Sequence, residues 1–438
     1  MSLSVFKNTQ FLWVALTILT CFSCGSQNKE KDVVQQEKIP KHTSTSLSIK
    51  VRNDKTIIVG ANQIESYFSI LKGKKVGVVA NQTSVVVDSL MTFFENPIQI
   101  KEGDKKEEYH LVDFLVALNV DVIKVFAPEH GFRGKADAGE LVKDGVDTKT
   151  GLPIISLYGK NKKPSKEQLK EIDLMVFDIQ DVGARFYTYI STLHYMMEAC
   201  AENNIPLLIL DRPNPNGHYI DGPILEMQHK SFVGMHPVPV VHGMTIGEYA
   251  QMINGEGWLD NNIKCDITVV KLKNYTHQSK YSLPIKPSPN LPNDVAINLY
   301  PSLCFFEGTP WSAGRGTEMQ FQIFGSPSSP SDYYPFTFTP KANEGAKYPK
   351  FKNELCHGKD LRETKRLHKL NLEWLIAAYV AKGKQKDFFN PFFTKLAGTT
   401  KLQEQIEKGY TYREIRKTWL RDLENYNNMR QELSLIHI

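Results

Sequence analysis

The stretch 125–134, VFAPEHGFRG, joins an apolar run to two chemically active side chains. The run 122–127 is typical of a buried strand, and Pro128 ends it abruptly before Glu129 and His130. In open α/β sheets, ligands bind beyond the carboxyl ends of the strands. Glu129 precedes no helix that its side chain would cap, so we interpret it as a functional rather than a structural residue.

The same pattern of strand and helix continues on both sides of this stretch. Strands rich in Val, Ile and Leu that alternate with helices are typical of a parallel sheet covered on both faces. We therefore predict an α/β fold, with a Rossmann-like, mostly parallel sheet and helices on both faces. The predicted strands are 75–80, 122–127, 154–158, 174–178, 207–211 and 267–272, and the predicted helices between them are 110–119, 165–171 and 188–203.

The amino-acid composition changes after residue 285, where prolines accumulate among aromatic residues. Helical patterns return only near 371–381 and 411–423. We predict a Rossmann-like catalytic domain over 54–285 and a smaller α+β domain over 286–438 that closes the active-site cleft. The last residues, LSLIHI, look like translated sequencing adapter rather than natural sequence.

The N-terminal 24 residues resemble a bacterial lipoprotein signal peptide, with an apolar run at 11–22. Cys24 is the better candidate for the lipidated residue and Cys21 the alternative; an ordinary signal peptide with incidental cysteines is the other interpretation. Residues 25–53 are polar and predict a flexible tether. We therefore expect a cell-envelope lipoprotein of the outer membrane, facing the periplasm or the surface, whose membrane partner is reached through a lipid anchor.

Several kinds of chemistry leave no trace in the sequence. The net charge is only +5 and no basic run is dense, which argues against a nucleic-acid partner. The P-loop, the glycine-rich dinucleotide fingerprint, the G-x-S-x-G elbow and the H-E-x-x-H motif are all missing. We predict no cofactor and no metal, and we interpret four widely spaced cysteines as buried thiols: Cys200, Cys265, Cys304 and Cys356.

Carboxylates follow several predicted strands. Asp178 and Asp181 come at the end of the fourth strand, shortly before Arg185 and Tyr187, and Asn214 follows the fifth. If these strand ends meet at one edge, the set is typical of a sugar site, where paired carboxyl groups supply acid and base and polar groups bind hydroxyls. The structural alternatives are that Asp178 caps a turn, and that scattered histidines are simply hydrogen-bonded.

Two further groups of candidates lie downstream. Glu248, three residues after Thr245, is either a site residue or the partner of a helix cap. The stretch 300–327 carries Trp311, Arg315 and Glu318 among glycines. An arginine there suits a substrate carboxylate, but it is equally well placed to pair with Glu307 inside a folded loop.

Seven ordered motifs resemble the exo-β-N-acetylmuramidase family over roughly residues 56–427. They are FAPEHGFRG, GLPIISLYG, FDIQDVGARFYTYISTL, DRPNPNG, HGMTIGE, SPNLP and YPSLCFFEGTPWSAGRGTE. The resemblance implies an enzyme that releases terminal N-acetylmuramic acid from the non-reducing end of peptidoglycan fragments, which are then its substrate partners. A glycan-binding lipoprotein without catalysis is the main alternative, and an amidase or esterase a weaker one.

The family's motif glutamate falls on Glu129, to which the resemblance assigns the general acid role. For the second carboxylate Asp181 is the first choice, ahead of Asp178, Glu248 and Glu318. Arg185 and Arg315 are candidates for binding the lactyl carboxylate of muramic acid. The remaining expected substrate-binding residues are His130, Tyr187, Asn214 and Trp311.

Overall fold

A computed structural model describes residues 56–87, 108–133 and 144–433. The predicted signal peptide with Cys24, the predicted tether and nearly all of the adapter-like tail lie outside the described residues. Within these three ranges, no helix combines the length and the apolar character needed to cross a bilayer.

A seven-stranded sheet forms the centre of the structure, in the order β5-β6-β4-β1-β7-β8-β9. All its neighbouring strands are parallel except the short β5, which is antiparallel to β6. The mostly parallel sheet predicted from the sequence is confirmed. The strands of the described residues are β1 Val76–Ala80, β2 Val85–Val87, β3 Glu108–His110, β4 Val122–Ala127, β5 Gly145–Val146, β6 Pro153–Ser156, β7 Leu174–Asp178, β8 Leu207–Leu210, β9 Ile267–Val270, β10 Ile323–Ser326, β11 Phe336–Phe338 and β12 Cys356–Asp360.

Helices cover both faces of this sheet, as the apolar strands require. Successive strand residues point to opposite faces, so Val79 joins one buried cluster and Val78 the other. Helices α1 and α2 pack in the cluster that contains Val78, and α3 and α4 in the one that contains Val79. The α-helices of the described residues are α1 Ile64–Leu71, α2 Leu111–Ala117, α3 Tyr189–Glu202, α4 Ile246–Gly255, α5 Asp294–Leu303, α6 Glu373–Ala381, α7 Pro391–Ala397, α8 Lys401–Glu407, α9 Tyr412–Lys417 and α10 Leu420–Leu433.

The strand order reverses at β1. From β1 the chain moves through β4 to β6 on one side, and then returns to β7, β8 and β9 on the other. A reversal of this kind opens a crevice at the carboxyl ends of the central strands, which is where ligands bind in such sheets. The residues that follow β1, β4 and β7 are therefore the ones placed to form a site.

The segment 165–171, predicted as a helix, forms only turns. Ser165 and Gln168 exchange reciprocal bonds, since the Ser165 N–H donates to Gln168 Oε1 (2.9 Å) and the Gln168 N–H donates to Ser165 Oγ (3.2 Å). This cap closes one turn, and no helix extends from it.

The proline-rich segment after residue 285 contains a helix that the sequence did not predict, α5. The Asn293 side chain caps it by accepting a hydrogen bond from the Ala296 N–H (3.0 Å). Pro301 lies inside the helix and offers no N–H to the carbonyl of Ile297. Asn216 donates to that carbonyl instead (2.9 Å), so a side chain from another part of the chain compensates for the proline.

Candidate active site

A cleft of about 550 Å³ lies at the switch in strand order. Glu129 and His130 enter it from the loop after β4, and Tyr187 and Thr188 from the loop before α3. Residues from beyond position 285 form the rest of the wall, among them Ser288, Asn290, Tyr300, Glu307 and Arg315. Both parts of the chain thus contribute to the cleft, while the boundary between two domains at 285 stays a prediction.

The backbone after β4 turns sharply at the glutamate. The Gly131 N–H donates to the Pro128 carbonyl (3.0 Å), and His130 adopts a left-handed conformation with φ +72°. A residue other than glycine rarely adopts this conformation, and such residues cluster at functional sites. The turn presents the neighbouring side chains of Glu129 and His130 to the cleft.

Two hydroxyl groups lie beside the Glu129 carboxylate. Thr188 Oγ1 donates a hydrogen bond to Glu129 Oε2 (2.6 Å). Burial and the adjacent negative charge of Glu129 raise the pKa of Tyr158 well above its usual value, so this phenol stays protonated and able to donate. Sequence reasoning missed both residues. Their only signals were that Tyr158 ends a predicted strand and that Thr188 begins a predicted helix.

Asn81, which follows β1, fixes the position of a tyrosine next to the Glu129 backbone. Asn81 Nδ2 donates to the hydroxyl of Tyr189 (2.8 Å), and that hydroxyl lies 3.4 Å from the Glu129 carbonyl oxygen. Asn81 Oδ1 in turn accepts from the N–H and the hydroxyl of Thr83 (2.9 and 2.6 Å). Because both ends of the Asn81 amide are held, the tyrosine behind the glutamate has a fixed position.

Glu307 is the second carboxylate of the cleft, and it pairs with Arg315. Arg315 Nη1 lies 3.5 Å from Glu307 Oε2, which is the pairing that the sequence left open as an alternative. Lys350 holds the backbone of this segment, because its ammonium donates to the carbonyls of Phe306 (2.8 Å) and Thr309 (2.7 Å), among others. Glu129 and Glu307 are the carboxylates among the described residues that line the cleft.

Asp181, the first choice for the second carboxylate, does not line the cleft. It is buried, its Oδ2 accepts from the Gly183 N–H (2.6 Å), and the same oxygen lies 3.4 Å from His242 Nε2. Its position at a strand end was predicted correctly, but the loop turns the side chain into the interior rather than toward the substrate space.

Asp178 and Arg185 are also buried away from the cleft. Asp178 accepts two hydrogen bonds from the Arg212 guanidinium, at 2.6 and 2.8 Å. Arg185 is fully buried and donates to four backbone carbonyls, with distances from 2.7 to 2.9 Å: those of Pro223, Val238, Leu396 and Ala397. Buried charges must be paired or hydrogen-bonded, and these partners leave neither group available to a substrate.

The remaining four candidates have other surroundings. Asn214 folds the loop after β8, where its Oδ1 accepts from the Asn216 N–H (2.8 Å). Glu248 completes the capping box of α4, as the structural alternative predicted. Trp311 is 1% exposed and packs among aromatic rings, and Glu318 lines a neighbouring cavity rather than the cleft.

The described residues contain no group of three or more His, Cys, Asp or Glu side chains that would suit a metal ion. The four cysteines in these ranges are buried free thiols, as predicted. Of the residues predicted for the site, four line the cleft together: Glu129, His130, Tyr187 and Arg315.

Models of a known protein family match most of the chain. Residues 76–295 match the model of the N-terminal part of exo-beta-N-acetylmuramidase NamZ, and residues 298–435 match that of its C-terminal part. The peptidoglycan beta-N-acetylmuramidase NamZ of Bacillus subtilis (strain 168) is 37% identical over 391 residues, which cover 84% of this chain and 88% of that protein.

Two crystal structures of DUF1343 family proteins from Bacteroides fragilis NCTC 9343 also match. One is 45% identical with a TM-score of 0.76, and the other 28% identical with a TM-score of 0.71. Each match covers 87% of this chain and 99% of the other. Because the two family models together span most of the chain, the protein belongs to the exo-β-N-acetylmuramidase family.

Proposed function

We propose that the protein is a glycoside hydrolase that releases terminal N-acetylmuramic acid from the non-reducing end of peptidoglycan fragments. The observation that carries this proposal is the position of Glu129, which lies in the crevice beyond β4 with its carboxylate held by Thr188 at 2.6 Å. Membership of the family supplies the reaction class. The muramidase activity named for the B. subtilis relative supplies the substrate class.

In this mechanism Glu129 is the general acid. In its protonated form it gives a proton to the glycosidic oxygen as the bond between that oxygen and C1 of the sugar breaks. Water supplies the hydroxyl that ends on C1. Glu307, the other carboxylate of the cleft, takes the second role as base or nucleophile. This assignment replaces Asp181, whose side chain lies outside the cleft.

The cleft also contains groups suited to muramic acid itself. Its lactyl group carries a carboxylate, and Lys162 and Arg315 are the cationic side chains among the described residues that line the cleft. Aromatic rings from Phe186, Tyr187 and Tyr300 lie in the same walls and suit the apolar faces of a pyranose. Arginine binds a carboxylate through two parallel hydrogen bonds, which favours Arg315 for this role over Lys162.

The decisive experiment uses a chromogenic N-acetylmuramic acid glycoside with the native protein and with Glu129→Gln. We expect the substitution to reduce turnover by at least about 100-fold, since it removes the proton donor but keeps the shape of the side chain. Glu65→Gln, at an exposed glutamate of α1, is the matched control. Full activity of Glu129→Gln would refute the assignment. Binding without turnover by the native protein would instead favour a glycan-binding lipoprotein.

The sequence further supports a location in the cell envelope. We infer that the chain is a lipoprotein attached to the outer membrane through Cys24, which gives it access to wall fragments. Expression in a Gram-negative host tests this, because Cys24→Ser would move the protein from the membrane fraction to the soluble fraction whereas Cys21→Ser would not. An unchanged distribution for Cys24→Ser would rule out lipidation there.

A further inference from the structure

Glu307 lies in the last turn of a short 3₁₀ helix, Cys304–Gly308. The last carbonyls of a helix need donors from outside it, and the Lys350 ammonium is such a donor here. It donates to four carbonyls of this segment: those of Phe306 (2.8 Å), Glu307 (3.2 Å), Thr309 (2.7 Å) and Trp311 (3.2 Å). Because an ammonium has only three N–H groups, at least one of them is shared between two carbonyls. A single cation thus holds the backbone around Glu307, including the carbonyl of Glu307 itself.

Lys350 acts from outside the cleft. Its side chain does not line the cleft, whereas that of Glu307 does. Burial lowers the pKa of the Lys350 ammonium, and the nearby Glu307 carboxylate opposes this shift because it favours the charged form. A cation also suits the end of a helix, where the peptide dipoles place partial negative charge. Lys350 is therefore placed to hold Glu307 without touching a substrate.

The segment 341–350, which ends at Lys350, also holds Arg315. The carbonyl of Gly345 accepts a hydrogen bond from Arg315 Nη2 (3.2 Å), and Arg315 Nη1 lies 3.5 Å from Glu307 Oε2. The same carbonyl accepts a second hydrogen bond from the side chain of an asparagine that lines the cleft (2.6 Å). One segment therefore holds both members of the ion pair, Glu307 through its backbone and Arg315 through its guanidinium.

We propose that Lys350 is a positioning residue for the reaction: its ammonium fixes the backbone of Glu307 and thereby the direction of the Glu307 carboxylate in the cleft. This inference rests on the proposed function, in which Glu307 is the base or nucleophile. A carboxylate that acts on water or on C1 of the sugar must be placed accurately, since a displacement of about 1 Å can cost about 100-fold in rate. The four carbonyls form a site for a small cation, which the chain itself supplies.

Chemical rescue tests the role of the cation. Lys350→Ala removes the ammonium with its propyl stem, and we expect kcat for the chromogenic glycoside to fall roughly 10- to 100-fold with little change in KM. Propylammonium chloride, added at constant ionic strength, should restore part of kcat in a saturable manner, because it supplies the missing N–H donors. Tetramethylammonium, a cation without N–H groups, should not. Lys352→Ala, at an exposed lysine two residues further on, is the matched control and should keep the native activity.

A double-mutant cycle identifies the residue through which Lys350 acts. In a chain that already carries Glu307→Gln, the further change Lys350→Ala should lower the residual kcat much less than it does in the native chain, because no carboxylate remains to be misplaced. A cation that only stabilised the fold would lower the urea midpoint, and it would change kcat by the same factor in both backgrounds or in neither.

The outcomes separate the role of Lys350 from the reaction itself. Equal losses in both backgrounds, equal effects of the two ammonium salts, or a native kcat for Lys350→Ala would overturn the positioning role and leave the proposed function standing. A native kcat for Glu307→Gln would instead remove the second catalytic role from Glu307, and the inference would fail with it. If the native protein did not turn over the glycoside, the proposed function would be overturned as a whole. Should Lys350→Ala fail to fold, Lys350→Met, which keeps an apolar stem, is put through the same cycle.

Discussion

Thr188 determines where the Glu129 carboxylate points. It is the N-cap residue of α3, a position where a threonine hydroxyl usually accepts a hydrogen bond from the helix backbone. Here the side chain makes no cap bond and donates to Glu129 Oε2 instead. Helix α3 therefore lacks the usual side-chain cap, and the Thr188 hydroxyl positions the Glu129 carboxylate in the cleft instead.

Thr188→Val should therefore lower kcat roughly tenfold, because a misdirected proton donor is used less often although it is still present. The valine keeps the branched shape, so the thermal midpoint should change little. Thr188→Ser, which retains the hydroxyl, is the matched control and should keep most of the activity. Steady-state kinetics on the chromogenic glycoside measure both variants, and an unchanged kcat for the valine variant would contradict a positioning role.

Arg315 should distinguish muramic acid from a sugar that lacks the lactyl group. Arg315→Met is expected to lower kcat/KM for the N-acetylmuramic acid glycoside by roughly 10- to 100-fold, the effect of losing a charge-assisted hydrogen bond of about 1.5–3 kcal/mol. The corresponding N-acetylglucosamine glycoside, however slowly it reacts, should lose much less. Arg315→Lys serves as the control that keeps the charge. Equal losses on both glycosides would show that Arg315 acts only through Glu307.

Single residues show where sequence reasoning succeeds and where it stops. Glu129 was found because a carboxylate directly after a buried strand has few structural uses. Asp181 and Arg185 lie in the segment after β7, but the Asp181 carboxylate accepts from the nearby Gly183 N–H, and Arg185 is held by partners far away in sequence. Arg185 binds carbonyls as distant as those of Leu396 and Ala397, which no local pattern reveals.

At the scale of elements, His110 links the start of α2 to the end of β1. Its Nδ1 accepts from the Val112 N–H (3.2 Å) and its Nε2 donates to the Asn81 carbonyl (2.9 Å). Only the neutral ring can make both bonds. Burial lowers the pKa of His110 to about 4, from an ordinary value of 6.5.

This residue should weaken the fold in acid. The unfolded chain takes up a proton near pH 6.5, while the folded chain takes it up only near pH 4, so stability is lost as the pH falls between these values. The loss from His110 is up to about 3 kcal/mol. His110→Asn, which keeps a good cap, should show a shallower decrease in the free energy of unfolding, measured with urea from pH 7 to 4. Identical pH dependence in both proteins would contradict this.

The order of strands and helices was predictable because apolar residues repeat with a different period in each type of element. The strands β4 and β7 begin and end where the sequence predicted. The helix α5 was not predictable, because Pro301 argues against it and only the contact of Asn216 with the Ile297 carbonyl makes it possible. Helix prediction from local sequence considers only near neighbours, and Asn216 lies 81 positions from the carbonyl that it binds.

At the scale of the whole molecule, Arg185 joins separate parts of the chain. Its guanidinium meets carbonyls at Pro223 and Val238 and at the end of α7. Arg185→Met should lower the free energy of unfolding by about 3–5 kcal/mol, because it leaves several buried carbonyls without donors. Arg185→Lys keeps the charge but not the planar fork, and should recover only part of the loss.

Two measurements on the Arg185 variants, urea unfolding and the KM for the chromogenic glycoside, distinguish a structural role from binding of the lactyl carboxylate, which the sequence suggested. A residue that bound the lactyl carboxylate would, when replaced, raise KM and leave the urea midpoint unchanged. We expect the reverse: a lower midpoint, and a normal KM wherever the variant remains folded.

The contacts of Arg185 also restrict how this chain can be recombined with its relatives. Gly398 follows α7 with φ +74°, and a Cβ there would lie 2.7 Å from Arg185 Nη2. Consider a hybrid that takes residues up to 285 from this protein and the remainder from a relative. Its Arg185 can bind the carbonyls at the end of α7 only if the relative also has glycine after the matching helix. Arg185 and residues 396–398 should therefore be inherited together, and crossovers that separate them should be enriched among hybrids that fail to fold.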